Sequence, residues 1–272
     1  MTGTTGRTAT IGDGRAGPSA PVLEVRDLSV RFGGVRAVSG VSLAVREGEI
    51  LSIIGPNGAG KTTIFNVVTG LYRPTAGDVR LRGRPISALP PHARARLGVA
   101  RTFQNIRLFR DLTVGENVRV ARYGRARVGL GGALLRTPAF RRERAEADRA
   151  VAALLESVGL RGRGGELARS LPYGDQKRVE LARALASGPS VLLLDEPAAG
   201  MSTGEADELM TLIRSLRDRG LAILLVEHHI RVVMGISDRV LVLNHGERIA
   251  EGPPAAVRRD PTVIAAYLGE GP

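Results

Sequence analysis

Hydrophobic positions form alternating runs near the start of the chain and continuous runs further along it. The segment VLEVRDLSVRF from Val22 alternates apolar and polar residues, and AVSGVSLAV repeats this period of two. Such alternation predicts strands with one buried face. The runs ILSIIG, VLLLDEP and AILLVEHH are instead apolar throughout their first part, which is typical of strands buried on both faces.

Helical patterns separate the continuous runs. TTIFNVVTGLY follows the first run, and GEADELMTLIRSLRDRG lies between the other two. Apolar strands that alternate with helices predict an α/β fold with a mainly parallel sheet covered on both faces. Between Pro90 and Ser170 the pattern is mostly helical, which predicts a helical insertion into this core.

Three segments follow from these patterns. Residues 1–20 are small, polar and Gly-rich, which predicts a disordered tail. Residues 21–272 form a single domain, in which a helical subdomain at roughly 105–186 is inserted.

Composition changes this picture little. The longest strongly apolar runs, such as LAILLV, are far too short to cross a bilayer, and the first 20 residues lack the apolar centre of a secretory signal. The chain has no cysteine, which excludes disulfides and thiol chemistry and fits a cytoplasmic location.

The formal net charge of +12 raises the question of a nucleic-acid partner. Basic residues do cluster from Arg119 to Arg149, but no stacking aromatics are interleaved with them, and we therefore expect no nucleic-acid binding. Of the 39 basic residues only Lys61 and Lys177 are lysine, so that arginine bias is general along the chain.

A glycine loop after the first continuous run supplies the strongest chemical signal. GPNGAGKTT matches G-x-x-x-x-G-K-[ST], with a predicted strand before it and a predicted helix after it. Glycines let backbone amides approach phosphate oxygens, the lysine supplies a point charge for the β- and γ-phosphates, and the first threonine can ligate Mg²⁺. The predicted nucleotide-binding residues are Gly55, Pro56, Asn57, Gly58, Ala59, Gly60, Lys61, Thr62 and Thr63.

The run VLLLDEP places two carboxylates at the end of a buried strand. Asp195 is positioned to hold Mg²⁺, directly or through water. Glu196 is positioned to polarise a water for in-line attack on a γ-phosphate. Together with the glycine loop, the pair predicts a Mg²⁺-dependent ATPase.

The order of five motifs resembles the ATP-binding subunit of an ABC transporter, and the match extends from Leu23 onward. The motifs are GPNGAGKTT, RTFQ, LPYGDQKR, VLLLDEP and LLVEHH. The resemblance implies a P-loop core with an antiparallel β subdomain, and a head-to-tail dimer that holds two ATP molecules between its subunits.

Single positions carry over from that family. The resemblance implies that Phe32 stacks on adenine, that Gln104 reaches Mg²⁺ and the attacking water, and that His228 contacts the γ-phosphate. It adds Gln104 to Thr62 and Asp195 as Mg²⁺ ligands. His229 stands where an aspartate is frequent and receives no role.

The segment SLPYGDQKRVELARAL resembles the signature that caps the partner subunit's nucleotide. The resemblance assigns this contact to Leu171, Tyr173, Gly174 and Asp175. Pro172 replaces the usual serine and therefore lacks both a hydroxyl and an N–H. We expect that the nucleotide capped by this signature is held less strongly, and that Pro172→Ser raises the ATPase activity of the complex.

A second departure from the family pattern lies after the carboxylate pair. Ser202 stands where an aspartate commonly ends the turn that faces the partner subunit.

Within the family, the chain looks closest to the ATPases of branched-chain amino acid importers. The stretches that carry this likeness are RTFQNIRLFRDLTVGENV, the variant signature LPYGDQKRVELARAL, LDEPAAGM, EHHIRVVMGISDRVLVLNHGERIAEGPP and DPTVIAAYLGE. The likeness implies a second, different ATPase, two transmembrane permeases, an extracytoplasmic binding protein and a peripheral position on the cytoplasmic face of the membrane.

Two alternatives stay open. The chain could serve a related urea or amide importer or a lipopolysaccharide exporter, because similar signatures occur there. It could also be a soluble ABC ATPase outside transport, although such proteins usually carry two modules or a long coiled-coil insertion.

Overall fold

The computed structural model describes residues 20–123 and 138–268, and its strands form two sheets. The tail expected at 1–20 lies, except for its last residue, outside the described ranges. The strands are β1 (Leu23–Phe32), β2 (Val35–Val45), β3 (Ile50–Ile54), β4 (Ala76–Leu81), β5 (Arg84–Pro85), β6 (Val99–Arg101), β7 (Val191–Asp195), β8 (Ala222–Val226), β9 (Arg239–Asn244) and β10 (Glu247–Gly252).

Helices cover the sheets, and three α-helices lie in the span from Pro90 to Ser170 as far as the structure describes it. Within the described ranges, none of them combines the length and the hydropathy needed to cross a bilayer. The helices are α1 (Lys61–Thr69), α2 (Pro91–Leu97), α3 (Val114–Tyr123), α4 (Pro138–Ser157), α5 (Tyr173–Ala186), α6 (Thr203–Asp218), α7 (Ile230–Ile236), α8 (Pro254–Val257) and α9 (Pro261–Leu268).

The larger sheet is mainly parallel, as the continuous apolar runs predict. Its six strands have the order β10-β9-β3-β8-β7-β6, and the neighbours from β9 to β6 run parallel. Every residue of β3, β7 and β8 is buried, because helices or the second sheet cover both faces. The smaller sheet is antiparallel, with the order β2-β1-β4-β5. The predicted fold class is confirmed.

Two parts of the larger sheet are not predicted by the sequence patterns. β6 is three residues long, too short for a periodic signal, yet it pairs with β7 at the sheet edge. The hairpin of β9 and β10 follows α7 and completes the opposite edge. In the span from Pro90 to Ser170, no helix forms between residues 102 and 113, so that this part is less helical than predicted.

One helix belongs to two layers of the molecule. Val179 of α5 packs in a cluster with residues of α3 and α4, among them Val118 and Leu155. Leu181 of the same helix packs against the sheet together with Ile213 of α6. Movement of α3 and α4 would therefore be transmitted to the sheet through α5.

The parallel strands end at one common edge. β3, β6, β7 and β8 are neighbours or near neighbours that run in the same direction, so that the segments after their last residues meet there. These segments contain the glycine loop, Gln104, Glu196 and His228.

Candidate active site

The glycine loop follows β3 and enters α1 in a conformation that requires glycine. Gly55 has φ 148° and Gly60 has φ 100°. A Cβ on Gly55 would lie 2.1 Å from the carbonyl oxygen of Leu243, and one on Gly60 would lie 2.7 Å from that of Ala37. Side chains are thus excluded at both positions, and the loop presents backbone to its surroundings.

Lys61 begins α1 and turns back over this loop. Its Nζ donates to the carbonyl oxygens of Gly55 at 2.6 Å and of Pro56 at 2.8 Å. The ammonium group, the loop amides and the positive end of the α1 dipole converge on one region. This arrangement suits a polyphosphate.

The loop lines a cavity of about 680 Å³ together with residues from the other strand ends. Three predicted catalytic residues share its wall with the loop, which places them within reach of one ligand. The lining residues are Asn57, Gly58, Ala59, Gly60, Lys61, Thr62, Thr63, Gln104, Glu196 and His228.

Glu196 lies at the centre of the polar wall. Its Oε2 accepts a hydrogen bond from Nε2 of Gln104 at 2.7 Å, and its Oε1 lies 2.6 Å from Nε2 of His228. The backbone at Glu196 is left-handed, with φ 46°, and its N–H donates to the carbonyl oxygen of Val226 at 2.8 Å. Backbone strain of this kind costs on the order of 1–3 kcal/mol and is common at functional sites.

The carboxylate of Asp195, next to Glu196, pairs with an arginine that the sequence patterns do not identify. Arg101, the last residue of β6, donates through Nη2 to Oδ2 of Asp195 at 2.7 Å and through Nη1 to Oδ1 of Asn66 at 2.7 Å. Its guanidinium also lies over the rings of Phe65 and Phe103, at 5.5 and 5.0 Å. Arg101 therefore fixes Asp195 beside α1.

Glu227 is a second residue that the sequence patterns miss. It is buried, and its carboxylate accepts from the backbone N–H of Ala198 at 3.0 Å and of His228 at 3.1 Å. It thereby ties the turn after β7 to the end of β8. Its position directly before the two histidines is the signal that could have identified it.

The oxygen donors of the site fit a hard divalent cation. Thr62 and Gln104 line the cavity of the glycine loop, and Asp195 is the last residue of β7, which pairs with β6. In the described part of the chain, no three His, Asp or Glu side chains form a metal cluster. A Mg²⁺ ion bound to a nucleotide takes most of its ligands from phosphate oxygens and water.

Phe32 does not line the cavity of the glycine loop. It is exposed at the end of β1, and its ring meets that of Tyr72 edge to face, with 5.1 Å between the centroids. Tyr72 follows α1 and was not identified from the sequence. Two exposed rings in contact provide a surface on which a base could stack, and the adenine contact of Phe32 stays a prediction.

The signature lies at the start of α5, away from the cavity of this chain's own glycine loop. Pro172 is the N-cap and provides no side-chain hydrogen bond, whereas Tyr173 is exposed. Oδ2 of Asp175 pairs with Nη1 of Arg163 at 2.5 Å, which offsets a negative charge beside the start of α5. Gly174 is buried, as is Leu171.

Ser202 has a structural role in the described chain. It is the N-cap of α6, where its side chain accepts from the N–H of Glu205 and the Glu205 carboxylate accepts from the N–H of Ser202. Serine and aspartate cap helices about equally well, which explains why serine can stand here.

The chain is similar to known transport ATPases along most of its length. A family model described as ABC transporter matches residues 38–199, and one described as branched-chain amino acid ATP-binding cassette transporter matches residues 247–272. The high-affinity branched-chain amino acid transport ATP-binding protein LivG of Salmonella typhimurium is 51% identical over 253 residues, which cover 93% of this chain and 99% of LivG. The corresponding BraF of Pseudomonas aeruginosa is 49% identical with the same coverage.

More distant relatives share the fold and part of the sequence. The lipopolysaccharide export system ATP-binding protein LptB of Haemophilus influenzae is 37% identical, covering 92% of this chain and 98% of LptB. A crystal structure of a nucleotide-free ATP-binding cassette from an ABC transporter superposes with a TM-score of 0.80 at 30% identity, covering 92% of this chain and all of the other.

Proposed function

The chain belongs to the ABC transporter ATP-binding proteins, in the branched-chain amino acid group, and on this premise we propose that it hydrolyses ATP to energise the import of branched-chain amino acids. The observation that carries the hydrolytic part is the position of Glu196 between Gln104 and His228 on the wall of the glycine-loop cavity. The preference for amino acids rests on the 51% identity to LivG, against 37% to LptB.

The triphosphate would lie on the glycine loop. Loop amides and the start of α1 would bind its oxygens, and Nζ of Lys61 would exchange its two carbonyl partners for the β- and γ-phosphates. Thr62, Gln104 and Asp195 would hold Mg²⁺, which when bound neutralises phosphate charge.

Glu196 would orient the attacking water. Gln104 and His228 each contact one of its two carboxylate oxygens, so that the group is fixed before substrate binds. In such reactions most of the acceleration comes from positioning and fixed charge.

The complete site would need a second ATPase subunit. The signature residues of this chain do not line its own glycine-loop cavity, and Tyr173, which is exposed at the start of α5, would meet a nucleotide bound on a partner. We propose a heterodimer of two ATPases on the cytoplasmic face of the membrane, with two permeases and, indirectly, an extracytoplasmic binding protein. Nucleic acid has no part in this assembly.

Affinity purification of the tagged chain from its own membranes tests the assembly. We expect a second ATPase and two permeases to co-purify, and the same tag on an unrelated protein to recover none of them. Recovery with ribosomes or DNA-repair factors and without a permease would contradict the proposed function.

A further inference from the structure

Lys177, the second of the two lysines, has no role in the hydrolysis proposed above. Lys61 belongs to the glycine loop, and Lys177 lies on α5, one turn after Tyr173. Lys177 is only 5% exposed. Burial lowers the pKa of Lys177, because the charged ammonium group is disfavoured away from water. A buried ammonium group therefore needs hydrogen-bond partners.

Lys177 contacts the segment that carries Gln104. Its Nζ donates to the carbonyl oxygen of Gln104 at 2.6 Å and lies 3.4 Å from that of Phe103. The side chain of the same Gln104 donates to Glu196. Lys177 thus holds Gln104 through its backbone, while the side chain of Gln104 fixes the carboxylate of Glu196, which would orient water.

The same lysine faces the signature. Its Nζ lies 5.8 Å from the centroid of the Tyr173 ring, within the range of a cation–π contact. Lys177 therefore lies between a residue expected to meet the partner's nucleotide and a residue of this chain's own site.

Two further residues of α5 hold the other end of the segment. Oε1 of Glu180 accepts from the N–H of Arg107 at 3.3 Å, and Arg183 donates to the carbonyl oxygen of Arg107. Glu180 is also buried beside Lys177, and burial raises its pKa. Residues 103–107 are thus attached to one face of α5 by three side chains.

We propose that Lys177 is a positioning residue, which holds Gln104 against Glu196 and makes its position depend on that of α5. This inference rests on the proposed hydrolysis at Glu196. Since α5 also presents the signature, the contact would link closure on the partner's nucleotide to the arrangement of this chain's own site.

The test compares Lys177→Met with Lys177→Arg in the assembled complex. Methionine has nearly the shape of lysine but donates no hydrogen bond, whereas arginine restores both the charge and the donors. A cavity of about 10 Å³ beside Lys177, lined also by Thr102 and Glu180, gives the larger side chain room. The readouts are kcat and KM for ATP, the melting temperature, and hydrogen exchange of residues 102–108.

We expect Lys177→Met to lower kcat about ten-fold or more, because displacement of a catalytic group by about 1 Å can cost up to about a hundred-fold in rate. KM for ATP should stay within about two-fold, since the glycine loop is untouched. Hydrogen exchange in residues 102–108 should rise, and Lys177→Arg should restore both kcat and protection.

Wild-type kcat and unchanged exchange in Lys177→Met would overturn the inference. If that variant unfolds, Lys177→Met combined with Glu180→Gln removes both buried charges together, and the same expectations apply to it. The proposed function fails separately, because a wild-type complex without ATPase activity would refute hydrolysis while hydrogen exchange still tests the contact.

Discussion

At the scale of the residue, the site depends on the carboxylate of Glu196. Its left-handed backbone turns the chain sharply after β7, and Gln104 and His228 then determine where the two oxygens lie. Because both neighbours bond to the carboxylate, its amide analogue would keep the shape of the wall but lose the negative charge that we propose polarises water.

Glu196→Gln should therefore retain ATP binding and strongly reduce turnover. We expect kcat to fall by about 10²- to 10⁴-fold, the usual contribution of a general base, with ATP affinity within about three-fold of wild type. Steady-state hydrolysis and equilibrium binding of a fluorescent ATP analogue measure the two quantities. The exposed Glu247→Gln is the matched control, and wild-type hydrolysis by Glu196→Gln would remove this residue from the mechanism.

The residues of the site differ in how far the sequence reveals them. Gly55 to Thr63 are contiguous, and their spacing alone states the chemistry. Arg101 and Lys177 act through contacts with residues more than 70 positions away, and no local pattern records such a contact. The first group could be predicted and the second could not.

At the scale of the element, α1 is fixed at its C-terminal end by one buried arginine. Arg94 of α2 donates to the carbonyl oxygens of Val67 and Val68 in the last turn of α1, and to those of Leu89 and Ser87. Free carbonyls at a helix end need donors, and a positive charge there also suits the helix dipole. Arg94 thus supports the helix whose other end carries Lys61.

Arg94→Leu should destabilise the protein by about 3 kcal/mol, because several buried carbonyls would lose their donor. For a chain of this size that corresponds to a fall in melting temperature of roughly 6–12 °C. Differential scanning calorimetry measures it, with the exposed Arg96→Leu of the same helix as control. Equal melting temperatures for the two variants would contradict the role of Arg94.

The sequence predicts those elements that have a clear hydrophobic pattern of their own. β3, β7 and β8 follow from continuous apolar runs, and α6 follows from its helical pattern. β6 has three residues and gains its place by pairing with β7, so that tertiary contact decides its structure.

At the scale of the whole molecule, we propose that the chain carries halves of two different sites. One region presents the glycine loop with Gln104, Glu196 and His228, and the start of α5, which resembles the family signature, lies outside that cavity. Such a chain is expected to turn over ATP only within an assembly, and the sequence identity to LivG points to an amino acid importer.

Uptake of radiolabelled leucine into proteoliposomes tests this account most directly. The co-purified complex is reconstituted with its binding protein outside and ATP inside, and Glu196→Gln serves as the hydrolysis-deficient control. We predict ATP-dependent accumulation that stops in Glu196→Gln and is competed by isoleucine and valine but not by urea. Leucine uptake that is absent with wild-type protein, or equal in the two proteins, would contradict the account.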